Sequence, residues 1–271
     1  MLKDYLNKGA EELKKKTLWL LDMDGTIYNE NTLFDGTLDL LDRIEKNGGK
    51  YIFITNNSSK SVYAYLDKIT KMGIKADLSN FFTSSQATSL FLNDKFKGIK
   101  VYCQGTKSLV EELEKSGINV TTKMEDDIGL VLLGFDTELT SEKLRTTCEI
   151  LTTRKDIPFY ATNPDLVCPV SFGYIPDCGS ISIMVYNATK RKPIYIGKPE
   201  TTMVEYVMKK FNKTKEDTII VGDRLYTDIK TAMNADITSI CVLSGEAKYN
   251  EIIEGDIKPT YIFNSVKDIL I

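Results

Sequence analysis

Not one of the 271 residues is histidine. That excludes Ser-His-Asp and Cys-His machinery, an H-E-x-x-H zinc centre and a histidine general base. Acid–base chemistry in this chain falls to Asp, Glu, Lys, Tyr or Cys. Cysteine is scarce and unpatterned: Cys103, Cys148, Cys168, Cys178 and Cys241 are odd in number and contain no C-x-x-C pair. This argues against a disulfide framework or a zinc site and predicts reduced thiols and a cytoplasmic location. Each cysteine reads as a small buried hydrophobe. No apolar run approaches the ~18 residues of a membrane span. The opening Met1-Leu2-Lys3-Asp4-Tyr5-Leu6-Asn7-Lys8 lacks the apolar core of a signal peptide, and residues 1–16 read as a solvated, partly helical extension. A net charge of -3 offers nucleic acid no electrostatic footprint.

What is present is organised around Leu18-Trp19-Leu20-Leu21-Asp22-Met23-Asp24-Gly25-Thr26. Four apolar residues in a row, too few for a helix, predict a strand buried on both faces. Asp22 then falls at its carboxyl end, where open α/β sheets bind ligands. Asp24 follows two residues on, and Gly25 allows a sharp turn. Two carboxylates converging on one small volume call for a compensating charge, and Mg²⁺ suits hard oxygen donors.

Leu38, Leu41 and Ile44 predict a helix ended by Gly48-Gly49. Tyr51-Ile52-Phe53-Ile54-Thr55 predicts a second buried strand, running into Thr55-Asn56-Asn57-Ser58-Ser59. As residues alone, this polar cluster is either a loop with a helix N-cap or a phosphate cradle of hydroxyl, amide and backbone N–H groups. Val62, Tyr65, Leu66, Ile69 and Met72 predict the next helix. The middle of the chain reads as strands at 99–103, 130–135 and 158–162, helix faces through Leu109/Leu113 and Leu144/Cys148/Leu151, and a turn at 176–180 feeding a helix. No strand in this section ends in an acid as the first does, and it reads as an inserted second domain.

Pro193-Ile194-Tyr195-Ile196-Gly197 predicts a further strand, and Pro199 suits the first turn of the helix carrying Met203, Val204, Val207, Met208 and Phe211. Lys198, at that junction, is either a solvated lysine or a partner for phosphate or carboxylate. Thr218-Ile219-Ile220-Val221-Gly222-Asp223 is a second apolar strand ending in an acid. Asp228 either complements the following helix dipole or joins the acid cluster. Strands at 239–243 and 261–263 complete an α/β pattern, and several βα units predict a parallel doubly wound sheet.

Asp22-Met23-Asp24-Gly25-Thr26, Thr55-Asn56, Lys198 and Gly222-Asp223 with Asp228 together resemble the haloacid dehalogenase superfamily. The wider stretches Thr55-Asn56-Asn57-Ser58-Ser59, Ala161-Thr162-Asn163-Pro164-Asp165, Gly197-Lys198-Pro199 and Gly222-Asp223-Arg224-Leu225-Tyr226-Thr227-Asp228 resemble its NagD-like branch, subfamily IIA, from about residue 17 onward. The resemblance implies a Rossmann-like core over 17–83 and 193–271 and an inserted α/β C2-type cap over 84–192. It implies Mg²⁺-dependent hydrolysis of small phosphomonoesters through an aspartyl-phosphate, with a small phosphorylated metabolite as partner and a homodimer through the cap as a possible assembly. Asp22 is implied as nucleophile and Asp24 as general acid and then base. Thr55, the Asn56 backbone and Lys198 are implied to bind the phosphoryl oxygens. Mg²⁺ is implied to rest on Asp22, the Asp24 backbone carbonyl and Asp223, with Asp228 orienting a metal-bound water or Lys198. Cap residues Asp165, Cys168, Tyr174, Ile175 and Pro176 are candidates for choosing the leaving group, or ordinary loop residues. Asp24 argues against a dehalogenase or P-type ATPase. The alternatives left are a phosphotransferase or phosphomutase of the superfamily, and a non-catalytic protein that binds phosphate esters.

Overall fold

Leu18–Leu21 is buried along its whole length, as an apolar run covered on both sheet faces requires. In the computed structural model, which describes residues 2–271, this strand lies inside a six-stranded sheet. Its order is Tyr261–Phe263, Thr238–Val242, Thr218–Gly222, Leu18–Leu21, Lys50–Thr55, Phe81–Thr83. Leu21 pairs in parallel with Val221 on one side and Phe53 on the other. The chain therefore leaves the central strand to one side and returns much later to the other, which makes this the topological switch point of the sheet. The helix Thr37–Lys46 buries Leu40, Leu41 and Ile44. Leu38, expected on that face, is exposed.

Contacts divide the chain into two units, Met1–Thr55 with Tyr65–Phe82 and Lys198–Ile271, and Asn56–Ala64 with Thr83–Gly197. The second unit has its own sheet, ordered Ile194–Tyr195, Phe159–Ala161, Ile128–Leu133, Lys100–Gln104, Val120–Thr121, with every pair parallel. Its strands alternate between two cores. Val101, Cys103, Leu130 and Leu132 face Leu92, Leu109 and Leu113, while Tyr102, Val131 and Leu133 face Ile150, Leu151, Ile181 and Val185. That is the period of two that strand geometry imposes, with both faces covered by helices.

Several readings of the sequence are corrected. Pro193–Gly197, read as part of the first domain, belongs to the second, because Ile194 and Tyr195 pair with Tyr160 and Ala161. Residues 56–64 also belong to the second unit. Ser58 anchors them: its Oγ accepts from the Phe135 N–H at 2.9 Å and lies 2.9 Å from Thr162 Oγ1. Pro199 lies outside the helix it was expected to open, which runs Thr202–Phe211.

Residues 2–16 (Met1 lies outside the described residues) are partly helical as expected, with a turn at Glu11–Lys15, but they are anchored rather than merely solvated. Leu2, Ala10 and Leu13 are buried. The Tyr5 N–H donates to the Ile262 carbonyl at 2.7 Å, and Asp4 Oδ2 accepts from the Ile262 N–H at 3.3 Å. The segment thus covers the edge strand Tyr261–Phe263, whose backbone groups would otherwise be open to pairing with another chain. Lastly, Val167–Val170 and Gly173–Pro176, read as irregular, form an antiparallel hairpin. A smaller one joins Tyr28–Asn29 with Thr32–Leu33.

Candidate active site

The register of the first sheet assembles the site. Asp22, Thr55 and Asp223 stand at the carboxyl ends of three adjacent parallel strands. Lys198 enters the same place and is buried. Its ammonium donates to Asp22 Oδ1 at 2.6 Å and to Asp228 Oδ1 at 2.6 Å, and lies 3.5 Å from the carbonyl of Ile54, the residue before Thr55. Asp228 sits in a single widened helical turn, Leu225–Ile229, where its Oδ2 accepts from the Arg224 N–H at 3.2 Å.

Asp223 is held by its surroundings. Thr26 Oγ1 donates to its Oδ1 at 3.1 Å, and the Glu246 N–H donates to its Oδ2 at 2.8 Å. A Cβ on Gly25 would fall 2.3 Å from Asp223 Oδ2, and one on Gly245 2.0 Å from it. Both positions therefore admit only glycine, and Gly25 also needs its left-handed φ of 84°.

Carboxylate oxygens of Asp22, Asp223 and Asp228 lie within 4.8 Å of one another, with one ammonium among them. Burial pushes the Asp223 carboxyl up to about 7, and the charges of Asp22 and Asp228 add to the shift. Burial likewise raises Asp228 to about 6, although Lys198 beside it opposes the shift. Lys198 is itself disfavoured by burial, but Asp22 and Asp228 outweigh that and raise it, so it stays charged. Three crowded hard-oxygen donors short of positive charge suit a Mg²⁺ ion. Lys198 takes one oxygen of Asp22 and one of Asp228, and the other Asp228 oxygen accepts from the Arg224 N–H, so the second Asp22 oxygen and the Asp223 carboxylate are the donors left to hold an ion.

Asp24 lies apart from that cluster, with its side chain half-exposed. Tyr28 Oη donates to its Oδ2 at 3.2 Å, and Lys68 Nζ is 3.6 Å from its Oδ1. Burial, reinforced by Asp24, raises the Tyr28 phenol far above its ordinary value, so Tyr28 is always the donor. Neither Tyr28 nor Lys68 stood out in the sequence. Gly245 and the Glu246 N–H were missed too, and the only local signal for them was the Ser-Gly pair after the strand Thr238–Val242.

The remaining expected residues lie in the second unit. Asn56 is buried, and its carbonyl accepts from Ser84 Oγ at 2.6 Å. Asp165 is buried, and its Oδ2 accepts from Asn163 Nδ2 at 3.0 Å. Cys168, Tyr174, Ile175 and Pro176 are on the 167–176 hairpin. Asn57 Nδ2 donates to Cys168 Sγ at 3.8 Å, and Tyr174 is exposed.

Residues 19–119 match the haloacid dehalogenase-like hydrolase family, and residues 195–269 match the HAD-hydrolase-like family. An acid sugar phosphatase of Staphylococcus saprophyticus is 31% identical over 95% of this chain and 98% of its own. The 5'-nucleotidase YutF of Bacillus subtilis is 30% identical over 92% and 96%. Among solved structures, a 4-nitrophenylphosphatase from Thermotoga maritima superposes with a TM-score of 0.89 at 35% identity, covering 95% of this chain and 97% of that one. NagD from Escherichia coli gives 0.85 at 28% identity, over 93% and 97%. Strand ends that gather three aspartates and a lysine, on a fold shared end to end with these phosphatases, place the chain in the NagD-like (IIA) branch of the haloacid dehalogenase-like hydrolases, and it is a phosphatase.

Proposed function

We propose that the protein hydrolyses small-molecule phosphomonoesters with Mg²⁺, through an aspartyl-phosphate on Asp22. The observation that carries this is the Asp22 carboxylate at the switch point, held at 2.6 Å by a buried Lys198 that also grips Asp228. A carboxylate so fixed is oriented for in-line attack rather than free to rotate.

In the first step an Asp22 oxygen forms a bond to phosphorus while the bond from phosphorus to the leaving oxygen breaks. Asp24 gives that oxygen its proton. In the second step Asp24, now a carboxylate, takes a proton from water. The water oxygen attacks phosphorus, the Asp22 carboxylate leaves, and inorganic phosphate is released. Lys198 and Thr55 are assigned to the phosphoryl oxygens, where charge is spread in the transition state. The resemblance in sequence adds the backbone N–H of Asn56. Asp22, Asp223 and the Asp24 backbone carbonyl would hold the Mg²⁺, which when bound would neutralise charge on the phosphate. Asp228 acts through Lys198, which it anchors. The relatives named for sugar phosphates, nucleotides and 4-nitrophenyl phosphate point to a small phosphorylated metabolite as substrate.

The test is phosphate release with Mg²⁺ from a panel of sugar phosphates, nucleoside monophosphates and p-nitrophenyl phosphate. Asp22→Asn, which keeps the shape and one oxygen able to accept from Lys198, is expected to lower kcat at least about 1,000-fold, or about 4 kcal/mol. Turnover near the wild-type rate by the pure variant would sink the assignment of Asp22.

A further inference from the structure

A proton donor at the mouth of a turn is useful only if it points the right way. Proton transfer needs it within about 2.6–3.2 Å of the leaving oxygen. Asp24 has a side chain that is 48% exposed, and an aspartate with that freedom samples several rotamers. Here it is constrained from two sides. Tyr28 Oη donates to Oδ2 at 3.2 Å, and Lys68 Nζ stands 3.6 Å from Oδ1. The same ammonium sits 3.9 Å from the centroid of the Tyr28 ring, within the range of a cation–π contact. Each of the three side chains therefore touches the other two.

The triangle is rigidly mounted. Tyr28 is fully buried. The Gly25 N–H donates to the Tyr28 carbonyl at 2.8 Å, and Tyr28 pairs with Leu33 in the small hairpin. Lys68 comes from a separate element, the helix Val62–Lys71, whose apolar face is fixed by buried Val62, Tyr65 and Ile69. Exposed ion pairs contribute little to stability, so holding the fold does not account for this arrangement. On the reading of Asp24 as the proton donor, we infer that Tyr28 and Lys68 are positioning residues that fix the Asp24 carboxyl for delivery of its proton to the leaving group. In this role they act through Asp24.

Such a role has a kinetic signature that a structural role lacks. Loss of proton donation harms a poor leaving group far more than a good one. The full-length protein and its Tyr28→Phe and Lys68→Met variants would be compared by kcat/KM on two esters. One is p-nitrophenyl phosphate, whose phenolate departs with little protonation. The other is an alkyl phosphomonoester that the wild type turns over, whose alkoxide needs the proton. The expected result is a loss of about tenfold or more on the alkyl ester, a loss under about threefold on p-nitrophenyl phosphate, and recovery of most of the alkyl activity in Lys68→Arg. Asp24→Asn serves as the reference and should show the same discrimination more strongly. Equal losses on both esters, or no loss on either, would overturn the positioning role while leaving that of Asp24 intact. If Asp24→Asn itself fails to discriminate, the assignment of Asp24 falls and the positioning role falls with it.

Discussion

In the first unit Leu18–Leu21 runs into Asp22 and Thr218–Gly222 into Asp223, whereas in the second Ile128–Leu133 runs into Gly134 and Phe159–Ala161 into Thr162. Both units are parallel sheets of apolar strands flanked by helices. Burial dictates the strands and leaves the residue just past each one free to differ. The second unit also contains a buried acid three residues past Ile128–Leu133, Asp136, but it has a lysine of its own: Lys143 Nζ lies 3.0 Å from its Oδ2. In the first unit Lys198 serves two carboxylates, Asp22 and Asp228, with a third, Asp223, crowded against them. The architecture is common to both, and the chemistry follows from an unbalanced charge at one set of strand ends.

The largest effect should come from removing the one ammonium. Lys198→Met takes away the buried cation bonded to Asp22 and Asp228, and breaking a buried ion pair costs about 3–5 kcal/mol. Chemical denaturation should show a loss of that order without divalent metal and a smaller one with Mg²⁺. A loss under about 1 kcal/mol in metal-free buffer would mean that the cluster is not charged as described.

A second effect concerns pH. The Asp223 carboxyl is raised from 3.8 in an ordinary environment to about 7 in the folded protein, so the folded state holds this proton more tightly than the unfolded one. Metal-free stability should therefore fall as pH rises from about 4 through 7. Asp223→Asn should flatten that fall, and Mg²⁺, which favours the ionised form, should do the same. Wild type and Asp223→Asn with parallel stability–pH curves in chelator would contradict the shift.

The smallest effect belongs to the second unit. Asp136→Asn leaves Lys143 with a neutral partner, and we expect a loss of about 1–3 kcal/mol. That loss should be the same with and without Mg²⁺. A Mg²⁺-sensitive loss there would erase the distinction between the two sets of strand ends.

The strands were legible because a strand buried on both faces must be written as an unbroken apolar run. Asp22 and Asp223 were legible because each interrupts such a run. Other features carried no comparable signal. Ile194 and Tyr195 look the same whichever sheet they join, and only their pairing with Tyr160 and Ala161 decides it. The 167–176 hairpin packs Cys168 and Ile175 against the core of its unit but also carries apolar Val167, Phe172 and Tyr174 exposed, so no hydrophobic alternation announced it. Leu2, Ala10 and Leu13 are too few to announce an apolar face, and the ties of Asp4 and Tyr5 to Ile262, far away in sequence, leave no local mark. Lys68 reads as a solvated helix lysine until the turn containing Asp24 and Tyr28 is set beside it.

The place of Leu18–Leu21 between Lys50–Thr55 and Thr218–Gly222 has a consequence for how the chain is made. A ribosome delivers the first neighbour early and the second only after about 160 further residues, an interval of roughly 10–30 s at the usual pace of translation. Residues 83–197, which make up nearly all of the second unit, emerge within that interval. For its duration the central strand of the finished sheet is an edge strand, four apolar residues long, with one row of backbone groups still unpaired. For that interval the nascent chain is open to pairing with another chain at the very strand that runs into Asp22.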